Sequence, residues 1–345
     1  MSTVLKEKVR ENLSEKRIRL QEWIQTTPSD QKNVLLGPAN EEAVRSHIKT
    51  IENSIEEAES GTLGICVMCE ESEGSVELAR LEIDYTCCVC LDHFSVEEVR
   101  DLEHELELAQ AVQKTLLPQA IPEMPGLEIA AYSRPSQLLG GDYFDFAQFN
   151  DGRYCLAIAD VAGHGVSASL HMASIQAMLR SIVLTSHSPS DVTSQIHKLF
   201  VHNINFTTFV TLFIGAFDSS SKSFTYCNAG HNPPIVVRTG NDDAESNFSL
   251  NPTGAAIGLI EDTEFGENSM SMQSGDLLLM YTDGLIEATN PRNEMFGMER
   301  LQNVVEGLYP ISPEEAIREI RRRLEIFVEG KPLADDTTIL ACRIS

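Results

Sequence analysis

Positive charge is what this chain has least of for its size: 26 lysines and arginines stand against 52 aspartates and glutamates, for a net charge of −26. A field of that sign repels nucleic-acid phosphates and anionic lipid, which argues against a DNA-wrapping or membrane-surface role. No apolar run reaches the ~18 to 20 residues that span a bilayer, and the opening stretch MSTVLKEKVRENLSEKR lacks the apolar core of a signal peptide. A cytoplasmic protein with no nucleic-acid or membrane partner is therefore expected. Internal repeats are also missing, which removes solenoids and propellers.

What is present is enough apolar sequence, 42% of 345 residues, for two domains and a connector. Residues 4–26 and 40–60 are charged, glycine-free and rich in Glu, Lys, Arg, Leu and Ile, so both are predicted to be helices. The intervening TTPSDQKNVLLGPAN breaks them and turns the chain back into an antiparallel hairpin. Reducing conditions in the cytoplasm make the eight cysteines better metal ligands or core residues than disulfides. Cys66 and Cys69 form one C-x2-C and Cys87 and Cys90 a second, with seventeen residues between the pairs. Two such knuckles aim four thiolates at one point and complete a closed, structural zinc site. Cys88, inside the second knuckle, is extra.

The run ESGTLGICVMCEESEGSVELARLEIDYTCCVC, placed after a helical hairpin, resembles the DksA/TraR zinc-finger transcription regulators over about residues 40–94. In that family the hairpin enters the RNA polymerase secondary channel through acidic residues at its tip. Here the tip holds only Asp30 before Glu41.

From Ser95 to Leu117, Val99, Leu102, Leu106, Ala109, Gln113 and Leu116 recur at steps of three and four. That is an a/d seam of nearly three heptads, and it predicts a coiled-coil linker over 95–119 that pairs two copies of the chain. Packing of the same side chains on the chain's own second domain is the alternative. Gln113 is the polar residue at an a position, which lowers stability while selecting register. Pro118, Pro122 and Pro125 close the linker.

Beyond it, apolar strands such as LEIAAY, RYCLAIAD, FVTLFIGAF, FTYCNAG and LLLMYTD alternate with helical GVSASLHMASIQAMLRSIVL and SPEEAIREIRRRLEIF. A mixed α+β domain over 120–345 is expected. Four carboxylate motifs punctuate it: LLGGDYFD at Asp142, LAIADVAGHG at Asp160, LLLMYTDGLIEATN at Asp283 and LADDTTIL at Asp335 and Asp336. Three adjoin apolar strands, and an aspartate where a buried strand enters a Gly-rich turn is held rigidly beside approachable backbone. Hard oxygen ligands gathered this way suit Mg²⁺ or Mn²⁺. Singly each motif is weak, because Asp after a strand often only caps a helix.

In this order, with GHG opening a helix and NAGHNPP between, the motifs resemble the PPM (type 2C) phosphatases, in the branch of sporulation stage II protein E and the RsbU stress phosphatases. The resemblance covers nearly all of residues 108–345. It implies an αββα sandwich, two antiparallel sheets flanked by helices, with two Mn²⁺ or Mg²⁺ ions at one end. By the same resemblance Asp160 bridges both ions. Asp142 and the Val161 carbonyl serve one ion, Asp283 and Asp335 the other, and Asp336 supports Asp335. The implied reaction is hydrolysis of phosphoserine and phosphothreonine in proteins by a metal-bound hydroxide. No cysteine sits in a Cys-x5-Arg phosphate cradle, consistent with a route that forms no phospho-enzyme. His164 and His231 are candidate general acids, with His231 equally able simply to fix a loop.

The implied partners are a phosphorylated substrate, such as a STAS-type anti-sigma-factor antagonist, and a regulatory protein at residues 1–94. The rival reading is a polymerase-binding zinc-finger regulator whose second domain is a dead scaffold. Aspartates at all four motifs favour the enzyme.

Overall fold

The computed structural model describes residues 96–345 except 164, 202–207, 239–246, 261 and 307–311, with isolated helical positions between 10 and 59; for 96–103 it describes the backbone alone. The chain divides into two units, Met1–Glu105 and Leu106–Ser345. In the first, the described residues between 10 and 25 and between 45 and 59 are helical. Gln21 Nε2 donates to Glu52 Oε1 at 3.3 Å, so the two segments touch. Ile48, Ile51 and Ile55, at helical spacing, are buried. The hairpin turn and the four expected zinc ligands, Cys66, Cys69, Cys87 and Cys90, lie outside the described residues.

Helix α1, Val96–Leu116, has Leu106, Ala109, Gln113 and Leu116 half-buried while Leu108 and Val112 are exposed. Within the second unit the end of this seam faces its own domain. Leu117 packs on the buried core that includes Met172, and Gln113 bonds the backbone of Gly140. Pairing with a second copy therefore has to use what this packing leaves exposed.

Among the described residues the second unit is built on ten strands in two antiparallel sheets, with the expected four-layer arrangement. One sheet has the order β1 (Leu127–Arg134), β10 (Thr337–Ile344), β9 (Leu277–Tyr281), β6 (Ile235–Val237), β7 (Asn247–Ser249). The other runs β2 (Tyr143–Gln148), β3 (Tyr154–Val161), β4 (Val210–Asp218), β5 (Ser223–Ala229), β8 (Asn268–Ser271). Alternation of side chains along each strand separates the cores. On β3, Cys155, Ala157 and Ala159 face helices α2 (Gly165–Ile182) and α3 (Pro189–Val201), while Leu156 and Ile158 face the opposite sheet. On β10, Ile339 and Ala341 face helices α5 (Gly297–Glu306) and α6 (Pro313–Val328), while Leu340 and Cys342 face inward. Cys155, Cys227 and Cys342 are buried free thiols, core residues rather than ligands.

Helix α6 shows how local sequence sets an element. Ser312 and Glu315 form a reciprocal capping box, Pro313 opens the first turn, and Glu329 and Gly330 end the helix at positive φ. Its stripe of Ala316, Ile317, Ile320, Leu324 and Val328 is buried, each large apolar side chain contributing ~1.5–3 kcal/mol. The chain then turns directly into Asp335 and β10.

Candidate active site

Strand periodicity places the carboxylates. Asp160 shares the parity of Leu156 and Ile158, so it continues the inter-sheet face of β3 past the end of the apolar core. On β10, Asp336 and Thr338 share the parity of Leu340, and Thr282, just beyond β9, shares that of Met280. The two sheets thus present polar groups at one end of a core that is otherwise hydrocarbon. Asp142 immediately precedes β2, and Asp283 opens the short helix α4, Asp283–Ile286.

Long-range hydrogen bonds tie this end together. Thr282 Oγ1 donates to Asp142 Oδ2 at 2.8 Å and accepts from the Thr338 amide at 2.9 Å. Asp336, 3% exposed, accepts at Oδ1 from the Ser136 amide at 2.7 Å and at Oδ2 from the Gly141 amide at 2.7 Å. It therefore pins the loop that carries Asp142. Gln113 holds the same loop from outside: its Nε2 donates to the Gly140 carbonyl at 2.6 Å, and its Oε1 accepts from the Gly140 amide at 3.2 Å. A side chain at Gly284 would collide with the Asp336 carbonyl, and one at Gly140 with the Asp336 carboxylate. Only glycine permits these approaches. The Val161 carbonyl lies against Gly141, 2.8 Å from where a Cβ there would be, and so borders Asp142.

Electrostatics sets this group apart. Burial pushes the Asp160 carboxyl up to about 8, and the charges of Asp283, Asp335, Asp336 and Glu287 push the same way. Asp142 is raised well above the ordinary range by burial, then by Asp160 and Asp336, against lowering hydrogen bonds from Thr338 and Thr282. Asp283 is raised by burial and by Glu287. Among the described residues, no three His, Cys, Asp or Glu side chains already converge closely enough to ligate one ion. Carboxyls that raise one another's pKa form a set whose charge a bound cation would compensate. An all-oxygen, partly buried and mutually repelling set fits a hard divalent cation.

The two histidines fall differently. His164 lies outside the described residues. His231 is 2% exposed, its Nδ1 is 2.8 Å from Thr211 Oγ1, and burial holds it down at about 4. Thr211 is paired with Asp160 across β3 and β4. In this arrangement His231 braces β4 beside Asp160 through Nδ1, while its Nε2 is buried without a hydrogen-bond partner. Sequence reasoning missed Ser136, Thr282 and Arg180. Arg180 forms a fork with buried Asp145, Nε to Oδ2 at 2.6 Å and Nη2 to Oδ1 at 3.0 Å, and Tyr143 Oη donates to Asp145 at 2.5 Å.

Comparison with known proteins agrees with this geometry. The chain is 28% identical over 246 residues to phosphoserine phosphatase RsbU of Bacillus subtilis, covering 71% of each protein. It is 32% identical over 191 residues to phosphoserine phosphatase RsbP of the same organism, covering 54% of this chain and 46% of RsbP. The solved PP2C domain of SiaA from Pseudomonas aeruginosa has the same fold, with a TM-score of 0.64 at 20% identity over 73% of this chain and all of that one. Residues 150–345 match the sequence model of stage II sporulation protein E. The chain belongs to the stage II sporulation protein E (SpoIIE) family.

Proposed function

We propose that residues 120–345 are a metal-dependent protein phosphatase acting on phosphoserine and phosphothreonine in a bacterial signalling pathway. The observation that carries this reading is that Asp142, Asp160, Asp283 and Asp335, from four separate motifs, lie at one end of the sandwich, where burial and then acidic neighbours raise Asp160. RsbU and RsbP, both phosphoserine phosphatases by name, support the reaction class.

By the family resemblance, Asp160, Asp142, the Val161 carbonyl, Asp283 and Asp335 would hold the Mn²⁺ or Mg²⁺ ions. Such ions supply a nucleophile at neutral pH and neutralise charge on the phosphoryl group. The chain's own task is to hold the ligands still. Thr282 fixes one oxygen of Asp142, Asp336 and Gln113 fix the 136–141 loop, and the Asp336 amide donates to Asp335 Oδ1 at 2.8 Å.

The finer substrate assignment is a phosphorylated STAS-type anti-sigma-factor antagonist, supported by the family resemblance. Residues 1–94, with zinc held by Cys66, Cys69, Cys87 and Cys90, are assigned to recruiting a regulatory partner, and α1 to pairing two copies. No helix among the described residues is long and apolar enough to cross a membrane, which suits action in the cytoplasm.

The test is hydrolysis of p-nitrophenyl phosphate and of a phosphothreonine peptide by the full chain. Turnover is expected with Mn²⁺ or Mg²⁺ and is lost with EDTA. Absence of turnover with either metal, or indifference to EDTA, would remove this reading.

A further inference from the structure

Between the second half of α6 and strand β1 lies a recess of about 450 Å³. Tyr132, Arg134, Arg321, Glu325, Lys331 and Thr337 are among its lining residues. Their faces follow from parity: Tyr132 packs toward the helices, Arg134 lies two residues on, and Thr337 shares the parity of helix-facing Ile339. In a chain of net charge −26, three cations border this one recess. Such a concentration against the overall field favours an anionic guest.

The recess also holds donors that the protein leaves unused. Arg321 lies over the Tyr132 ring, 4.0 Å from its centroid, and its Nε is buried without a hydrogen-bond partner. Its nearest carboxylate is Glu325, 3.9 Å away and largely exposed. Thr337 is fully buried and its Oγ1 is likewise unpartnered. Buried donors are nearly always paired, so two orphans in one recess call for a ligand acceptor. Arg134 is exposed and has no partner among the described residues. Lys331 is committed: its Nζ holds Thr289 Oγ1 at 2.7 Å and Asn293 Oδ1 at 2.9 Å, which anchors the recess wall and leaves its charge at the rim.

Placement supplies the occupant. Arg134 faces Thr337 in the β1–β10 register. Two residues from Thr337 is Asp335, and two residues from Arg134 is Ser136, which bonds Asp336. Two residues span at most ~7 Å, so the recess lies within reach of the carboxylate end. We propose that this recess is an oxyanion subsite, taking the carboxylate of an Asp or Glu side chain that flanks the phosphoresidue of the protein substrate. The planar fork of Arg321, held over Tyr132, suits a carboxylate accepting two hydrogen bonds, with Arg134 closing from the strand side. The inference rests on the phosphatase reading for its substrate, but the recess and its unpaired donors stand apart from the metal ligands.

The test compares two phosphothreonine peptides that differ only in Glu or Gln at the flanking positions, using the full chain with Mn²⁺. The Glu peptide is expected to show a KM about tenfold lower, with similar kcat. Arg321→Gln and Arg134→Gln should each erase most of that preference by raising KM, and should leave hydrolysis of p-nitrophenyl phosphate unchanged. Anisotropy of the same peptides, labelled and with the phosphothreonine ester replaced by a non-hydrolysable phosphonate, reads binding without turnover. The Glu form should bind the wild type about tenfold more tightly, corresponding to ~1.4 kcal/mol, and Arg321→Gln should lose that difference. Equal KM and equal binding for the two peptides in the wild type would overturn the subsite, as would a preference that survives both substitutions. Competition by inorganic phosphate at millimolar concentration that Arg321→Gln abolishes, with no Glu preference, would instead assign the recess to free phosphate and also overturn the substrate role. A chain that binds the Glu peptide preferentially but hydrolyses no ester would retain the subsite and discard the phosphatase reading.

Discussion

Asp142 and Asp145 are three residues apart and both buried, at 6% and 1% exposure, yet the fold treats them in opposite ways. Asp145 is met by the Arg180 fork and the Tyr143 hydroxyl, so its charge is compensated within the chain. Asp142 is met by the hydroxyl of Thr282 and by the charges of Asp160 and Asp336, so its environment adds negative charge. A buried carboxylate is tolerated when a cation partners it. The difference teaches that Asp145 is part of the scaffold, a clasp between β2 and α2. Asp142 belongs to a group that, under the proposed function, would take its compensating cation from solution.

The sharpest way to break this contrast is to remove a charge from each side. Asp160→Asn is expected to lower turnover by about 1,000-fold or more while leaving the protein folded, because it removes one of the repelling charges. Retention of near-normal kcat would sink the metal assignment. Arg180→Met works in the opposite sense. It strands Asp145 in the core and should destabilise the domain by ~3 kcal/mol, seen as an earlier urea midpoint, with activity per folded molecule preserved.

A smaller effect is expected from pH on chelator-treated protein. The folded Asp160 carboxyl, at about 8, is above its unfolded value of 3.8. The native state therefore binds the extra proton between those values, and ∂ΔG/∂pH is negative there. This contribution is complete below about pH 4 and lost as pH rises through about 8. The thermal midpoint should accordingly fall from pH 5 to pH 8 without metal, and Mn²⁺ should flatten the slope. A midpoint that rises over this range would contradict an Asp160 carboxyl raised by burial and by its acidic neighbours. The smallest effect belongs to Gln113→Ala, which releases Gly140 from α1 and should weaken Mn²⁺ binding several-fold with little loss of stability. Unchanged affinity would show that the Asp336 bonds alone hold the loop.

Much of the second unit was legible because its signals are local. LEIAAY, RYCLAIAD and LLLMYTD carry strand alternation or apolar runs, and SPEEAIREIRRRLEIF carries its own capping box, matching β1, β3, β9 and α6. The candidate ligands were legible for the same reason, each sitting where an apolar strand meets a glycine or a second aspartate. What fixes them was not. The bonds of Ser136 and Gly141 to Asp336 join residues some 200 positions apart, and Thr282 reaches Asp142 across 140. No periodicity encodes such pairs. Arg180 is an ordinary last-turn arginine on α2 until the fold sets it beside Asp145. Gln113 reads from its heptad position as a seam residue, and in the structure its amide engages the backbone of its own domain.

The most direct measurement is calorimetric titration of Mn²⁺ into chelator-stripped wild type, Asp160→Asn and Asp145→Asn, repeated in buffers of different ionisation enthalpy. Wild type should bind and release protons near pH 7, since raised carboxyls must ionise to take a cation. Asp145→Asn should bind with similar affinity, and Asp160→Asn should not bind at all. Equal binding by wild type and Asp160→Asn, or no binding by any of the three, would contradict the assignment of this carboxylate end to a metal centre.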